Sequence, residues 1–160
     1  LERWNIKVDD SSGKPLNKTP VGIFILLTAD MIINDFSPKE FLSAMKHPFA
    51  CGGIEPYIFR SNVRKLELAV MRGISPPKGI EGLKKTLENI SNDDLKLELK
   101  YWLNTIKQTA EPFINVINNK KADFKEIIKA HMEFLEQIAS SNSEHGSLRL
   151  WKNDDGETAA

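Results

Sequence analysis

Four basic residues have types and spacing that chemistry could use. Arg60 and Arg64 fall one helical turn apart on a predicted helix, Lys65 flanks them, and Arg72 closes the same segment. Such a row can hold phosphates through charge-assisted hydrogen bonds, which position a nucleic-acid backbone without reading its sequence. The same residues also read as a solvated face that includes Glu67, with Arg72 favoured near a helix C-terminus by the dipole. Lys120-Lys121 with Lys125 and Lys129 is a weaker cluster, assigned to solvent.

Other candidates lose the context their chemistry needs. Gly13-Lys14 is no phosphate loop, because that motif requires an earlier glycine where Val8 stands and a hydroxyl residue where Pro15 stands. His47, His131 and His145 are scattered, with no carboxylate or cysteine at metal-ligand spacing. His47 is expected to cap or pack at a helix end, and His131 to sit partly buried beside an apolar stripe. Asp9-Asp10, Asp93-Asp94 and Asp154-Asp155 lie at turns or helix starts, where capping and the helix dipole account for them. Serines are frequent, but none sits in a strand–Gly-x-Ser-x-Gly–helix elbow. No catalytic constellation remains, and no cofactor or small-molecule substrate is expected here.

The elements that would carry the arginines follow from length and pattern. The chain has 160 residues, enough for one domain with a proper core, and 22 basic side chains balance 22 acidic ones. No global field therefore draws it to nucleic acid or membrane, and any such contact must come from a local patch. Cys51 is the only cysteine, which excludes an internal disulfide and suits a reducing cytoplasm. The longest apolar run, Val21 to Leu27, is far too short to span a membrane, and no leader sequence is evident unless a trimmed N-terminus hides one.

Residues 5 to 8 alternate as in a strand and run into the turn-rich Asp9 to Pro15. Helical text follows. Thr19-Pro20 predicts a cap and first turn for a very apolar helix through Ile33. Ser37 and Glu40 form a predicted capping box for a helix through Met45, stopped by His47-Pro48. Gly52-Gly53 reads as a hinge, and Pro56 opens a third helix to Arg72 with Phe59, Val63, Leu66 and Val70 as its buried stripe. A short helix covers Ile80 to Glu88. A long one from Asp93 to Thr109 has Leu95, Leu99, Trp102 and Ile106 as its seam, and Pro112 is expected to kink or restart it. Asp123 and Glu126 form a second capping box. The helix it opens runs through Ala139, with Phe124, Ile127, Ile128, His131, Phe134, Leu135 and Ile138 predicted inside.

Ser140 to Ser147 reads as a polar loop. Both ends look cut: Leu1 precedes the strand-like Trp4 to Val8 without a methionine, and Leu148 to Trp151 with the polar tail reads as entry to another element. A lone strand cannot satisfy its own edges, so it is expected to belong to a sheet lying beyond this chain. The expected fold is mainly α, a multi-helix domain with a short N-terminal β-strand. Residues 1–18 form the strand and turn, 19–140 the helical domain, and 141–160 a loop and the start of a return segment.

Four phrases together resemble a known family. They are Arg3-Trp4-Asn5-Ile6 through Val8 to Ser11, with Gly13 to Leu16 and Thr19 to Gly22; Met45 to Ala50 with Gly52-Gly53; Leu66 to Leu68 through Met71 to Gly73 with Pro76; and Leu150-Trp151 with Gly156-Glu157. Their order and content are similar to the B subunit of AddAB-type helicase–nucleases of alphaproteobacteria, whose N-terminal half is an inactivated superfamily I helicase. Residues 80 to 145 match mainly in helical character.

The resemblance implies a non-catalytic segment of a double-strand break repair machine in the cytoplasm. Its partner would be the ATP-driven A subunit, with DNA met through backbone contacts. It also implies that the strand comes from a truncated helicase-like α/β domain, with residues 19–140 as a helical insertion. The nuclease centre and iron–sulfur cluster of such a subunit would lie outside this segment, since one cysteine cannot hold a cluster. No catalytic residue carries over. Arg60, Arg64, Lys65 and Arg72 are the DNA-binding candidates. Neutral net charge, and the lack of a strand platform of aromatic and basic residues, favour the alternative of a structural or protein-interaction domain without DNA contact.

Overall fold

A computed structural model describes residues 15–152 as seven α-helices and one 3-10 turn. The domain is mainly helical as expected; the strand expected at residues 5–8 and the Gly13-Lys14 turn lie outside the described residues.

The 3-10 turn Leu16–Lys18 delivers Thr19, whose hydroxyl donates to the Leu16 carbonyl at 2.8 Å and accepts from the Gly22 amide at 3.0 Å. That cap, with Pro20 at the first position, starts α1 (Pro20–Ile33) where its sequence predicts. Asp35 and Phe36 then adopt left-handed backbone, with φ of 51° and 47°. A bulky residue resists that conformation, and burial of the Phe36 ring beside Phe41 offsets the cost.

The turn leads into α2 (Pro38–Met45). Its capping box is not the expected one. The Ser37 hydroxyl donates to the Glu40 carboxylate instead of accepting a backbone amide, so Pro38 and the acidic first turn carry the start.

Between α2 and α3 (Pro56–Val70), Gly52 and Gly53 are pinned rather than hinge-like. The Cys51 and Gly52 amides donate to the Ile138 carbonyl at 2.9 and 2.8 Å, and the Gly53 amide to Ser140 at 2.7 Å. These bonds satisfy carbonyls that the end of a helix leaves open. Gly52 has φ of 56°, and a β-carbon there would lie 2.9 Å from the Phe59 ring.

Helix α3 ends at Val70, two residues short of the predicted stop, so Arg72 belongs to the turn that follows. Then come α4 (Ile80–Leu87) and α5 (Asp93–Asn118), whose 26 residues continue through Pro112 without a restart. Pro112 and Gln108 are both exposed. Water can therefore take up the Gln108 carbonyl that the proline leaves without a donor.

Helix α6 (Phe124–Ala139) has a complete capping box between Asp123 and Glu126, as predicted. Two of its expected inward residues point out: Phe124 is 78% exposed and Ile128 42%. Cover reaches only the second half of this face, where α7 (Gly146–Trp151) packs with Gly146 against the Glu136 backbone and Trp151 Nε1 bonded to Glu136 at 2.8 Å.

Two junctions hold the single core. Trp102 of α5 meets Phe41 of α2 and Phe59 of α3 edge-on, at ring distances of 6.1 and 5.4 Å. His131 of α6 stacks on Phe113 of α5 at 4.7 Å and bonds Thr28 of α1 at 3.0 Å. The first junction fixes α3 beside α2 and so sets the distance between their basic side chains.

Candidate anion-binding groove

The buried stripe Phe59, Val63, Leu66 and Val70 turns the opposite face of α3 to solvent. Arg60 and Arg64 stand at its edge, exposed and facing the end of α2. Because α3 stops early, the turn brings Arg72 back against the same edge. The three arginines line one groove of about 340 Å³ with Lys46 and Glu67, over a floor of Met45 and Val63. A second groove of about 420 Å³ continues beyond Lys46, between α2 and the turn after α3, and adds Lys39 without a carboxylate in its lining.

The electrostatics are one-sided. Lys46 and Glu67 form an ion pair at 2.7 Å. The Lys46 bond, with added attraction from Arg72 and Arg64, holds the Glu67 carboxyl below its usual range. Four cations against one carboxylate leave an excess of three positive charges in a chain with no net charge. Among the described residues, no carboxylate lies within 4.0 Å of Arg60, Arg64 or Arg72. Several lysines elsewhere are paired: Glu81 takes Lys84 and Lys107, and Glu88 takes Lys100 and Lys96. Arginines in a concave surface whose single carboxylate is paired with a lysine suit an anion with several oxygens.

Lys65 is not part of this groove. It reaches across to Glu98 of α5 at 2.7 Å, one position round the helix from Arg64. Lys46 and Glu67 complete the groove. Glu67 was visible as a neighbour on α3, but nothing in the sequence brings Lys46 to it across 21 positions.

The histidines have structural partners. His47 stacks on Phe24 at 4.8 Å, and burial lowers its pKa. Burial pushes His131 down to about 4. His145 accepts from the Ser147 amide at the start of α7. Asp93 and Asp94 occupy the first turn of α5, where the helix dipole favours them, but the cap itself is Asn92, whose side chain accepts from the Leu95 amide at 2.9 Å. Among the described residues, no three His, Cys, Asp or Glu side chains converge as a metal site would require, and no helix is long and apolar enough to cross a membrane.

No protein family, curated protein or solved structure matches this chain.

Proposed function

We propose that this chain is a non-catalytic helical module that holds the phosphate backbone of nucleic acid in the groove between α2 and α3, without reading sequence. The observation that carries the reading is the convergence of Arg60, Arg64 and Arg72 on one concave surface where Glu67 is the single carboxylate and is paired with Lys46. Three guanidinium groups supply forked donors for phosphate oxygens, and Lys46 stands beside them as a further charge. The resemblance to the B subunit of AddAB-type helicase–nucleases supports DNA as the polymer and an ATP-driven A subunit as the partner. In that setting the segment serves architecture and subunit contact as well as DNA guidance.

A protein contact is favoured by a separate feature. The outer stripe of α1 exposes Ile23, Leu26 and Ile33, the last 70% accessible, with Asp30 as its one charge, so this helix is largely apolar on both faces. A helix of that kind is normally covered on both sides.

The test is fluorescence anisotropy with a labelled forked DNA at low and moderate salt, using the wild type and the Arg60→Glu/Arg64→Glu variant. Salt-sensitive binding that disappears in the variant supports the reading. Polyglutamate binding as tightly as DNA, or no DNA binding by folded protein at low salt, contradicts it.

A further inference from the structure

The arginine face of α3 carries more than charge. At 3.6 residues per turn, Tyr57, Arg60, Arg64 and Leu68 project within an arc of about 80°. Tyr57 is 65% exposed and Leu68 46%. Among the described residues, neither a hydrogen bond nor an aromatic neighbour occupies the Tyr57 ring. It stands three residues before Arg60, about 4.5 Å along the axis, and Leu68 closes the other end about 16 Å away. No acidic residue lies within this stripe.

Resting on the nucleic-acid reading above, we infer that the groove takes single-stranded nucleic acid in preference to duplex, with Tyr57 as the platform on which a base stacks. A duplex turns its phosphates outward and its bases inward, so a ring beside the phosphate row meets only sugar. A single strand held by the same arginines can turn its bases onto the helix surface. A cationic groove that tracks the backbone, with an aromatic face for the bases, is the general physical solution for binding single strands. Leu68 offers apolar surface to the next sugar or base along the row. Glu67, the carboxylate of the groove, lies outside this stripe and is paired with Lys46, so cations outnumber it along the backbone's path.

The experiment measures anisotropy of the full chain with labelled oligo(dT), oligo(U) and a duplex of equal length, at one low salt concentration. Wild type, Tyr57→Leu and Tyr57→Phe are compared, each shown to be folded by circular dichroism. The expected result is tighter binding of at least one single strand than of duplex. Tyr57→Leu should weaken that binding about fivefold or more, since stacking is lost while bulk is kept. Tyr57→Phe should bind like wild type, and duplex binding should not respond to either change. Comparable binding of single strand and duplex, insensitive to Tyr57→Leu, overturns this inference and leaves the arginine reading standing. Loss of binding to all three polymers in wild type overturns the arginine reading itself.

Discussion

His131 makes the fold sensitive to mild acid, and the size of the effect follows from its surroundings. Thr28 Oγ1 lies 3.0 Å from the carbonyl oxygens of both Phe24 and Ile25, so its one proton goes to them. With that proton so placed, the Thr28 oxygen accepts from His131 Nε2, an assignment of the ring tautomer drawn from these bonds. The ring is 6% exposed and stacked on Phe113, and among the described residues no acceptor awaits a second proton on Nδ1. Burial therefore pushes the pKa from 6.5 down to about 4.

The sign follows directly. The unfolded chain takes up a proton below pH 6.5 that the folded chain refuses until about 4, so stability is whole above this window and falls as pH drops through it. At about 1.36 kcal/mol per pH unit, the His131 share of the loss is about 2 kcal/mol by pH 5. His47 shifts in the same direction and adds to the total. The lowered carboxyls of Glu40, Glu67, Glu81 and Glu88 act mainly below their ordinary value of 4.5, at the acid end of this window and under about pH 5. Urea unfolding of wild type and His131→Gln, at about pH 7.5 and about pH 5, isolates the contribution because His47 titrates in both. The variant should lose about 2 kcal/mol less than wild type across that interval. Parallel losses in the two proteins would refute the argument.

Three further outcomes follow from particular contacts. Lys65→Ala should leave nucleic-acid affinity within about twofold of wild type in an anisotropy titration, because that side chain is held by Glu98 outside the groove. Glu67→Gln removes the only carboxylate of the groove and frees Lys46, so affinity should rise about fivefold, equivalent to roughly 1 kcal/mol from one nearby charge. Gly146→Ala would place a β-carbon 1.8 Å from the Glu136 carbonyl oxygen and push α7 off α6, so urea unfolding should report a loss of about 2 kcal/mol.

The parts of the fold that were legible in the sequence are those that local chemistry decides. Thr19-Pro20 and the Asp123–Glu126 box start their helices as read, because each satisfies its orphan amides within a single turn. The stripe Phe59, Val63, Leu66 and Val70 is buried because 3.6-residue spacing places all four on one side. The misreadings concern what neighbours cover. Phe124 and Ile128 have the right period, but they lie on the half of α6 that α7 does not reach. Pro112 passes inside α5 because it falls on the solvent face. Arg72 entered the groove through a helix end two residues early, while Lys46 came from another helix altogether. Pairing across the α2–α3 contact is a tertiary event, and no periodicity within either helix encodes it.

The most direct test of the central claim counts phosphates. Anisotropy titrations of a labelled single strand across a range of salt yield the slope of log affinity against log salt. Three arginines that each displace a counterion predict a slope of about −2, falling to about −0.7 in Arg60→Gln/Arg64→Gln, where only Arg72 remains. A slope near zero in wild type, or the same slope in both proteins, would mean that this groove does not hold a nucleic-acid backbone.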